Sequence, residues 1–415
     1  MIDMTYLARQ PILSKTGEIL GYEILFRDTE SLMGVNEDSV ITSSVVSSIV
    51  NIFGIENVIG QYLGFIKVNS AFLEHELFAA LPKERFVFSL FDRELETPEH
   101  CSKLIELHKS GYRFAINDTS LEALPDAPEL LRSVDYLKID TVALPPQHCG
   151  RLMEQCRTYG IEVIASKVET HEIYDAFYNL EAAYFQGYYL RKPKIFENAT
   201  IRASDEAILQ IWNLIHEDAP TDAVVEAFEG HHALAVQLLR FINSAFFSMQ
   251  KEITSIRHLI VLLGRQQLSR WLMLLLYSQK GSANKNSHPL LLMVVNRTEI
   301  MTGLLKLIRP DCGRSDIESA YLVGMLSLIH LLFHMQHREI LTHLHVSKEI
   351  EEAMFEADCF LGQLLVMTRH IEHNDIEAIN RFVVHYRLDP ERVRGLIVEA
   401  MQKVNQFDEA MSRLN

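Results

Sequence analysis

The sequence is poor in the residues that build disulfide or metal-thiolate frameworks. Its 415 residues contain five cysteines, and no two of them stand in a Cys-x-x-Cys spacing. An odd number of scattered cysteines favours a reducing compartment and argues against a disulfide scaffold. The amino terminus also lacks a basic segment followed by an apolar one, so we read no signal peptide. We therefore predict a cytoplasmic protein.

Long apolar runs and an excess of positive charge are missing as well. The most apolar stretch, residues 259–277, is interrupted by two arginines and two glutamines, so its uninterrupted runs fall short of the roughly 20 residues that span a bilayer. The formal net charge is −16, which disfavours a broad surface for nucleic acid or acidic lipid. We predict no nucleic-acid partner and no membrane insertion, although a local pocket for a small anion remains open.

Short apolar runs alternate with helical stretches over the first half of the chain. Helical periodicity marks residues 101–109 and 151–159, and strands separated by helices indicate parallel β/α units. In a barrel of such units, the polar residues at the strand ends face the mouth where ligands bind. The strand-like runs are 65–69, 85–89, 114–117, 136–140 and 162–166, and the polar residues at such ends are Asn69, Ser89, Asn117, Asp118, Asp140 and Ser166.

Helical patterns replace strand patterns from Ser204 onward. Ser204 is predicted to cap a helix whose apolar residues form one stripe, and Ser315 with Glu318 has the spacing of a capping box. Two domains are expected at this length. We predict an α/β domain at 1–198 and an all-α domain at 199–415, joined by a linker within 192–200, and we expect a fragment starting near residue 200 to fold alone.

Seven fragments of the first half resemble the EAL domain, the family that opens the cyclic dinucleotide c-di-GMP. They occur in the family's order and spacing, so the resemblance implies a TIM-like (β/α) barrel with its site at the strand ends. The fragments are 21–27, 67–70, 86–92, 114–118, 137–140, 163–169 and 185–193.

The second half resembles the HDOD domain in residues 238–247, 253–264 and 320–330. This family is a helical bundle related to metal-dependent HD phosphohydrolases, and it has lost their metal site. His330 falls where the HD histidine would lie, but Leu331 stands where the aspartate would be needed. The resemblance implies a module that binds protein partners, and it leaves homo-oligomerisation open.

Six residues match the EAL site by motif. The resemblance makes Glu23, Asn69 and Asp118 metal ligands, Lys138 the residue that orients the attacking water, Glu169 the second glutamate of a family motif, and Gln186 a pocket residue. Phosphodiester cleavage at neutral pH is served by two divalent cations, and hard cations prefer carboxylate and amide oxygens.

The departures from the family fall on residues that bear charge. Ser89 stands in place of a ligating glutamate, Asn117 in place of an aspartate of the bridging pair, and Ser166 in place of a glutamate linked to the catalytic water. The loop 119–122 lacks the family's glycines, and Asp92 replaces its bracing glutamate. Because the loss of even a supporting group can lower metal affinity or activity by about 10 to 100-fold, we predict that catalysis is lost. No cofactor is expected, and Mg²⁺ or Mn²⁺ would bind only if a residual site persists at Glu23, Asn69 and Asp118.

The residues left for a ligand predict a binding site without catalysis. Its members are Glu23, Arg27, Asn69, Asp118, Lys138 and Gln186, and Arg27 can meet a phosphate with two hydrogen bonds. We interpret the chain as a bacterial signalling protein in which a degenerate EAL domain, a candidate c-di-GMP sensor, is linked to an HDOD interaction domain. An active c-di-GMP-specific phosphodiesterase and a scaffold that binds no nucleotide are the two alternatives.

Some of these residues could instead have purely structural roles. Glu23 could form an ordinary ion pair at the barrel rim, and Lys138 could pair with Asp140. His330 and His334 could share a helix face as metal ligands do, but their apolar surroundings favour packed histidines.

Overall fold

The first unit of the chain contains a barrel and the second is helical. The computed structural model describes residues 6–27, 46, 54–91, 95, 97–117, 128–187, 203–231, 234–235, 256–279, 289–333, 335–356 and 358–414. Its contacts divide the chain into a first unit of Met1–Lys192, His370–His385 and Asp389–Gln402, and a second unit of Pro193–Arg369, Tyr386–Leu388 and Lys403–Asn415.

Eight strands close into a barrel in chain order. The second to eighth strands pair in parallel with one another. The first strand pairs antiparallel with both the second and the eighth. The five predicted strands correspond to the third to seventh strands. The strands are β1 (Tyr6–Ser14), β2 (Ile19–Arg27), β3 (Leu63–Lys67), β4 (Phe86–Phe91), β5 (Arg113–Asn117), β6 (Tyr136–Asp140), β7 (Glu162–Ser166) and β8 (Tyr184–Phe185).

The reversed first strand departs from the parallel β/α units that the sequence predicts. A short turn joins β1 to β2, in which the Ser14 hydroxyl accepts hydrogen bonds from the backbone N–H groups of Thr16 and Glu18. Gly17 adopts φ 85° within this turn, a conformation that glycine reaches without steric cost. Strands joined by so short a turn must be antiparallel, because a parallel pair needs a long crossover.

Helices and 3₁₀ turns connect the parallel strands. Thr97 accepts a hydrogen bond from the backbone N–H of His100 at 3.3 Å, and Pro98 occupies the first helical turn, which are ordinary start signals. The predicted helices 101–109 and 151–159 are confirmed. The α-helices are Ile55–Ile59, Pro98–Lys109, Pro128–Leu131, Gly150–Tyr159 and His171–Asn179, and the 3₁₀ turns are Ser70–Glu74, Glu76–Ala80 and Pro146–His148.

The barrel interior has an apolar layer and a polar layer. Because alternate residues of a strand point to the same face, the residue two positions beyond each apolar layer residue also faces inward. In β4 to β7 those residues are Ser89, Asn117, Lys138 and Ser166, so a polar layer lies above the apolar one at the carboxyl ends of the strands. The apolar layer consists of Ile12, Phe65, Val87, Ala115, Tyr136 and Ile164.

The described residues from 203 onward form helices and connecting turns. The predicted stripe Ile208, Ile211, Trp212 and Ile215 is buried in the first of these helices. The predicted barrel followed by an all-helical region is therefore confirmed. The helices are Ala203–His216, Thr221–Glu229, Ile256–Leu263, Arg265–Gln279, Pro289–Ile308, Arg314–Leu326, Ile329–Phe333, His337–Leu341, Lys348–Phe355, Phe360–Glu372, Ile376–His385 and Pro390–Leu414.

The predicted capping box at Ser315 and Glu318 is wrong. The helix begins at Arg314 with extended Gly313 as its N-cap, and the Asp316 carboxylate accepts a hydrogen bond from the Gly313 N–H at 2.9 Å. Glu318 instead accepts hydrogen bonds from the Arg270 guanidinium. The Glu318 side chain, which would have completed the predicted capping box, is engaged in a long-range ion pair with Arg270. The capping hydrogen bond therefore forms between Gly313 and Asp316.

The contacts divide the units between Lys192 and Pro193. The predicted boundary between residues 198 and 199 and the predicted linker lie outside the described residues and stay predictions. At the other end, His370–His385 and Asp389–Gln402, which the sequence predicts in the helical domain, group with the barrel. Within this first unit the Arg9 guanidinium donates to the carbonyls of Val58 and Met401 and lies 4.2 Å from the centre of the Tyr22 ring. Independent folding of a fragment from residue 200 stays a prediction, and such a fragment would lack the Arg9 contact.

One described segment, Arg314–Phe333, is apolar and long enough to pass a test for membrane spans, with a mean hydropathy of 1.4. In the 18-residue window on which this test rests, 78% is buried inside the protein. Apolar surface on all sides of a helix is also typical of the core of a helical domain.

Candidate functional site

A buried ion pair occupies the centre of the polar layer. Lys138 Nζ lies 2.6 Å from Glu23 Oε1, and the two residues are only 5% and 8% exposed. The sequence allowed Glu23 to form an ordinary ion pair at the barrel rim. Glu23 does form an ion pair, but this pair lies inside the barrel. Lys138 pairs with Glu23 and not with Asp140, which forms its own ion pair with Lys167.

Two glutamines complete the environment of Glu23. Gln186 donates through Nε2 to Glu23 Oε2 and also to Gln10 Oε1, at 3.0 Å in the latter case. Gln10 is the direct partner of Glu23 across β1 and β2. Both carboxylate oxygens of Glu23 therefore accept hydrogen bonds from the protein itself.

The position of Gln186 depends on the glycine that follows it. Gly187 has φ +154°, and a Cβ atom added there would lie 2.2 Å from the Val168 carbonyl oxygen. The backbone of Gln186 bonds to Ala165 and Val168 on either side. A residue other than glycine would force these strands apart and move the Gln186 amide.

The electrostatics of this network keep Glu23 charged. Burial raises the pKa of the Glu23 carboxyl, but the charge and hydrogen bond of Lys138, the charge of Lys67 and the hydrogen bond of Gln186 together bring that pKa below its ordinary value. Opposite charge and hydrogen bonding to the ionised form both favour a carboxylate over a carboxylic acid. Glu23 is thus an anion at neutral pH, neutralised by Lys138.

The three neutral residues at positions of family carboxylates differ in their bonding. Ser166 donates its hydroxyl to the Ile139 carbonyl at 2.9 Å. Ser89 Oγ and Asn117 Nδ2 are buried and have no hydrogen-bond partner among the described residues, and the same holds for Gln186 Oε1. Ser166 is satisfied by the fold, whereas Ser89 and Asn117 retain unused hydrogen-bonding capacity.

Asn69 and Asp140 make local hydrogen bonds. Asn69 Oδ1 accepts from the Phe72 N–H at 3.0 Å and caps the 3₁₀ turn Ser70–Glu74. Asp140 Oδ1 accepts from the backbone N–H groups of Val142 and Ala143. Burial raises the Asp140 pKa, but the hydrogen bonds from Lys167 and the backbone outweigh it and lower the pKa overall.

Replacing Asn69 by alanine should lower the free energy of unfolding of the barrel by about 1 kcal/mol, because a capping oxygen is lost. Asn69→Asp keeps an oxygen at the same position and should retain most of that stability. Urea denaturation of both variants, followed by circular dichroism, measures the difference. Equal stability of Asn69→Ala and the unaltered protein would show that the cap does not stabilise the turn.

The remaining predicted site residues lie at the edge of what the structure describes. Arg27 ends β2, with its side chain outside the described residues, and Glu169 is exposed beyond β7. Asp118, Asp92 and the loop 119–122 lie outside the described residues. The predicted roles of all these residues stay predictions.

Gln10 and Lys67 belong to the polar layer but were missed from the sequence. Lys67 ends β3, is the direct neighbour of Ser89 on β4, and places its ammonium 4.9 Å from the centre of the Phe91 ring. Gln10 could have been found only after recognising the Ser14–Glu18 turn, which sets the pairing of β1 with β2.

In the helical domain His330 lies in a packed environment. Its ring stacks on His337 with centroids 4.9 Å apart, and His337 Nε2 bonds to the Leu326 carbonyl at 3.0 Å. Burial, with the nearby charges of His337, Arg297 and Arg369, lowers the pKa of His330 to about 4. His334 lies outside the described residues.

The barrel with its strand-end site and the helical region each match a known domain. A family model for the EAL domain matches residues 69–193, and one for the HDOD domain matches residues 205–360. The chain thus carries an EAL domain followed by an HDOD domain, and two curated relatives align with 96% of it.

Two curated relatives share both halves. A Vibrio cholerae protein named cyclic di-GMP phosphodiesterase CdgJ is 26% identical over 407 residues, covering 96% of this chain and 92% of that protein. The uncharacterized protein YuxH of Bacillus subtilis is 26% identical over 406 residues, covering 96% of this chain and 97% of that protein.

Solved structures similar to the barrel include two complexes with c-di-GMP. The PaMucR phosphodiesterase complex shows 15% identity and a TM-score of 0.37, covering 45% of this chain and 94% of that chain. The FimX EAL domain from Pseudomonas aeruginosa shows 19% identity and a TM-score of 0.36, covering 45% and 89%.

Proposed function

We propose that this protein binds c-di-GMP through its barrel without hydrolysing it and conveys the bound state to a protein partner through its helical domain. The observation that carries the proposal is the bonding of Glu23. Both of its oxygens accept hydrogen bonds from protein groups, and its charge is matched by Lys138. The strand-end site therefore supplies its own cation.

This bonding opposes a two-metal mechanism. A pair of divalent cations needs several oxygen ligands that carry negative charge. Glu23 is already neutralised, and the neighbouring strands present Ser89 and Asn117, which are neutral. Lys138, which the family resemblance assigns to the attacking water, is held against Glu23 instead.

The choice of c-di-GMP as ligand is supported by the domain match and by charge. The EAL model covers the strand ends from residue 69 onward, and the Vibrio cholerae relative is named for this nucleotide. Lys138 and Lys67 supply positive charge in the polar layer, and Arg27 ends β2 at the same rim. A cyclic dinucleotide carries two phosphodiester anions that such groups can bind.

Two other functions are separated from this one by simple assays. Active hydrolysis is favoured by the name of the Vibrio cholerae relative and by the retained Glu23, Lys138 and Gln186. A scaffold without nucleotide is the third candidate, and a calorimetric titration with c-di-GMP distinguishes it from a sensor.

We expect no enzyme-like hydrolysis of c-di-GMP in either Mg²⁺ or Mn²⁺. Chromatography of the nucleotide after incubation with the full chain measures this, with a known active phosphodiesterase as the positive control. Turnover of about 1 per second or faster, within the usual enzymatic range, would overturn the proposal. Restoring Ser89→Glu, Asn117→Asp and Ser166→Glu together should still give no turnover, because loop 119–122 lacks the family's glycines.

The proposed setting is the cytoplasm, with a protein partner for the helical domain. All five cysteines are free thiols, which suits a reducing compartment. The HDOD match supports an interaction role for residues 205–360, and self-association is the other form that this interaction can take. Sedimentation of the full chain with and without c-di-GMP separates a hetero-partner from a second copy.

A further inference from the structure

Three polar side chains share one patch of the barrel interior. Asn117 on β5 is the direct partner of Lys138 on β6, and Ser89 on β4 is the partner of Ala115, two residues before Asn117. Adjacent strands lie about 4.8 Å apart, and alternate residues share a face. Ser89, Asn117 and Lys138 therefore stand on three consecutive strands of the same inward face.

Two of these three side chains have unused hydrogen-bonding groups. Ser89 is 0% exposed and Asn117 is 8% exposed, yet Ser89 Oγ and Asn117 Nδ2 have no partner among the described residues. A buried polar group without a partner destabilises the folded state, and native proteins contain few of them. The described part of the fold thus leaves both of these donors unsatisfied, in addition to Gln186 Oε1, although Ser166 shows that a serine in this layer can be satisfied.

The chemistry of the patch selects the charge of its ligand. Asn117 Nδ2 and the Lys138 ammonium can only donate hydrogen bonds, and the Ser89 hydroxyl can donate one. Lys67, the neighbour of Ser89 on β3, adds a second positive charge, and Glu23 is the negative charge that Lys138 already pairs with. A group that only accepts hydrogen bonds and carries negative charge would satisfy the patch, whereas a divalent cation would meet an ammonium.

We propose that Ser89, Asn117 and Lys138 form an anion-binding triad that holds one phosphodiester group of the ligand directly and without a metal ion. This inference rests on the proposed function and assigns Ser89 and Asn117 as ligand-contacting residues. The non-bridging oxygens of the phosphodiester accept from the Ser89 hydroxyl, the Asn117 amide and a Lys138 N–H that Glu23 does not use.

The test is a calorimetric titration of c-di-GMP into the full chain, in EDTA and in Mn²⁺. In EDTA we expect Ser89→Ala to weaken binding by about tenfold and Asn117→Asp by more, since a hydrogen bond to a charged group is lost and Asp adds a like charge. Ser166→Ala is the matched control, because that hydroxyl is bonded to the Ile139 carbonyl. Its affinity should stay within about twofold of the unaltered protein.

The outcomes distinguish failure of the triad from failure of the proposed function. Metal-free binding that neither Ser89→Ala nor Asn117→Asp weakens would overturn the triad and leave the proposed function standing. Binding that requires Mn²⁺, or that Asn117→Asp strengthens in Mn²⁺, would show that these side chains face a metal and would overturn the triad. Absence of binding in both conditions would overturn the proposed function and the triad together. Should Asn117→Asp fail to fold, Ser89→Ala still decides, because it removes a hydroxyl that has no hydrogen-bond partner among the described residues.

Discussion

Replacing Lys138 by alanine should lower the free energy of unfolding of the barrel by about 3–5 kcal/mol. The substitution leaves the Glu23 carboxylate buried without its counter-charge, and removing one partner of a buried ion pair has a cost of this size. Circular dichroism during urea denaturation measures the loss. Both tryptophans of the chain, Trp212 and Trp271, lie in the helical region, so tryptophan fluorescence follows that region separately and should change less.

The Lys167 pair with Asp140 provides a matched control in the same barrel. Its atoms are also 2.6 Å apart, but the Lys167 side chain is 65% exposed. Lys167→Ala should therefore cost less than about 1 kcal/mol, as exposed ion pairs do. The double variant Lys138→Met with Glu23→Gln removes both buried charges and should recover most of the stability lost in Lys138→Ala. Equal effects of Lys138→Ala and Lys167→Ala would contradict the burial argument.

The stability of the helical domain should fall in mild acid because of His330. Its pKa is lowered from 6.5 to about 4 in the folded state, first by burial and then by the charges of His337, Arg297 and Arg369. Between these two values the unfolded chain binds a proton that the folded chain does not, so the free energy of unfolding decreases as the pH falls. The full contribution is present above pH 6.5 and is lost by about pH 4, a change of about 3 kcal/mol at 1.36 kcal/mol per pKa unit.

Tryptophan fluorescence during urea denaturation at several pH values measures this dependence in the helical region. His330→Gln removes the titrating group and should make the slope between pH 6.5 and 4 shallower. Some slope should remain, because burial also lowers the pKa of His337, partly offset by its hydrogen bond to the Leu326 carbonyl. A slope in His330→Gln equal to that of the unaltered protein would show that His330 is not the source of the acid sensitivity.

Local sequence was sufficient for the elements whose periodicity and length are unambiguous. The runs at 65–69, 114–117 and 162–166 predicted β3, β5 and β7 because short apolar segments between turn residues suit buried strands. The β1 and β2 hairpin was missed because β/α alternation was taken to hold throughout, and the turn at Ser14–Glu18 reverses it. The predicted box at Ser315 failed because Glu318 has a stronger partner in Arg270, which only the fold brings near.

The sequence by itself determined that a barrel precedes a helical domain and that Asn117 and Ser166 stand at strand ends, because strand length and alternation are local properties. The prediction was wrong for Ser89, because β4 continues to Phe91. The tertiary structure alone decided how these residues bond. Glu23 and Lys138 are 115 residues apart, and their pairing depends on strand order and register, which no local pattern encodes. Barrel closure likewise placed Ser166 against the Ile139 carbonyl, while Ser89 Oγ and Asn117 Nδ2 have no hydrogen-bond partner in the part of the chain that the structure describes. Side chains that look equivalent in sequence thus acquired different chemistry.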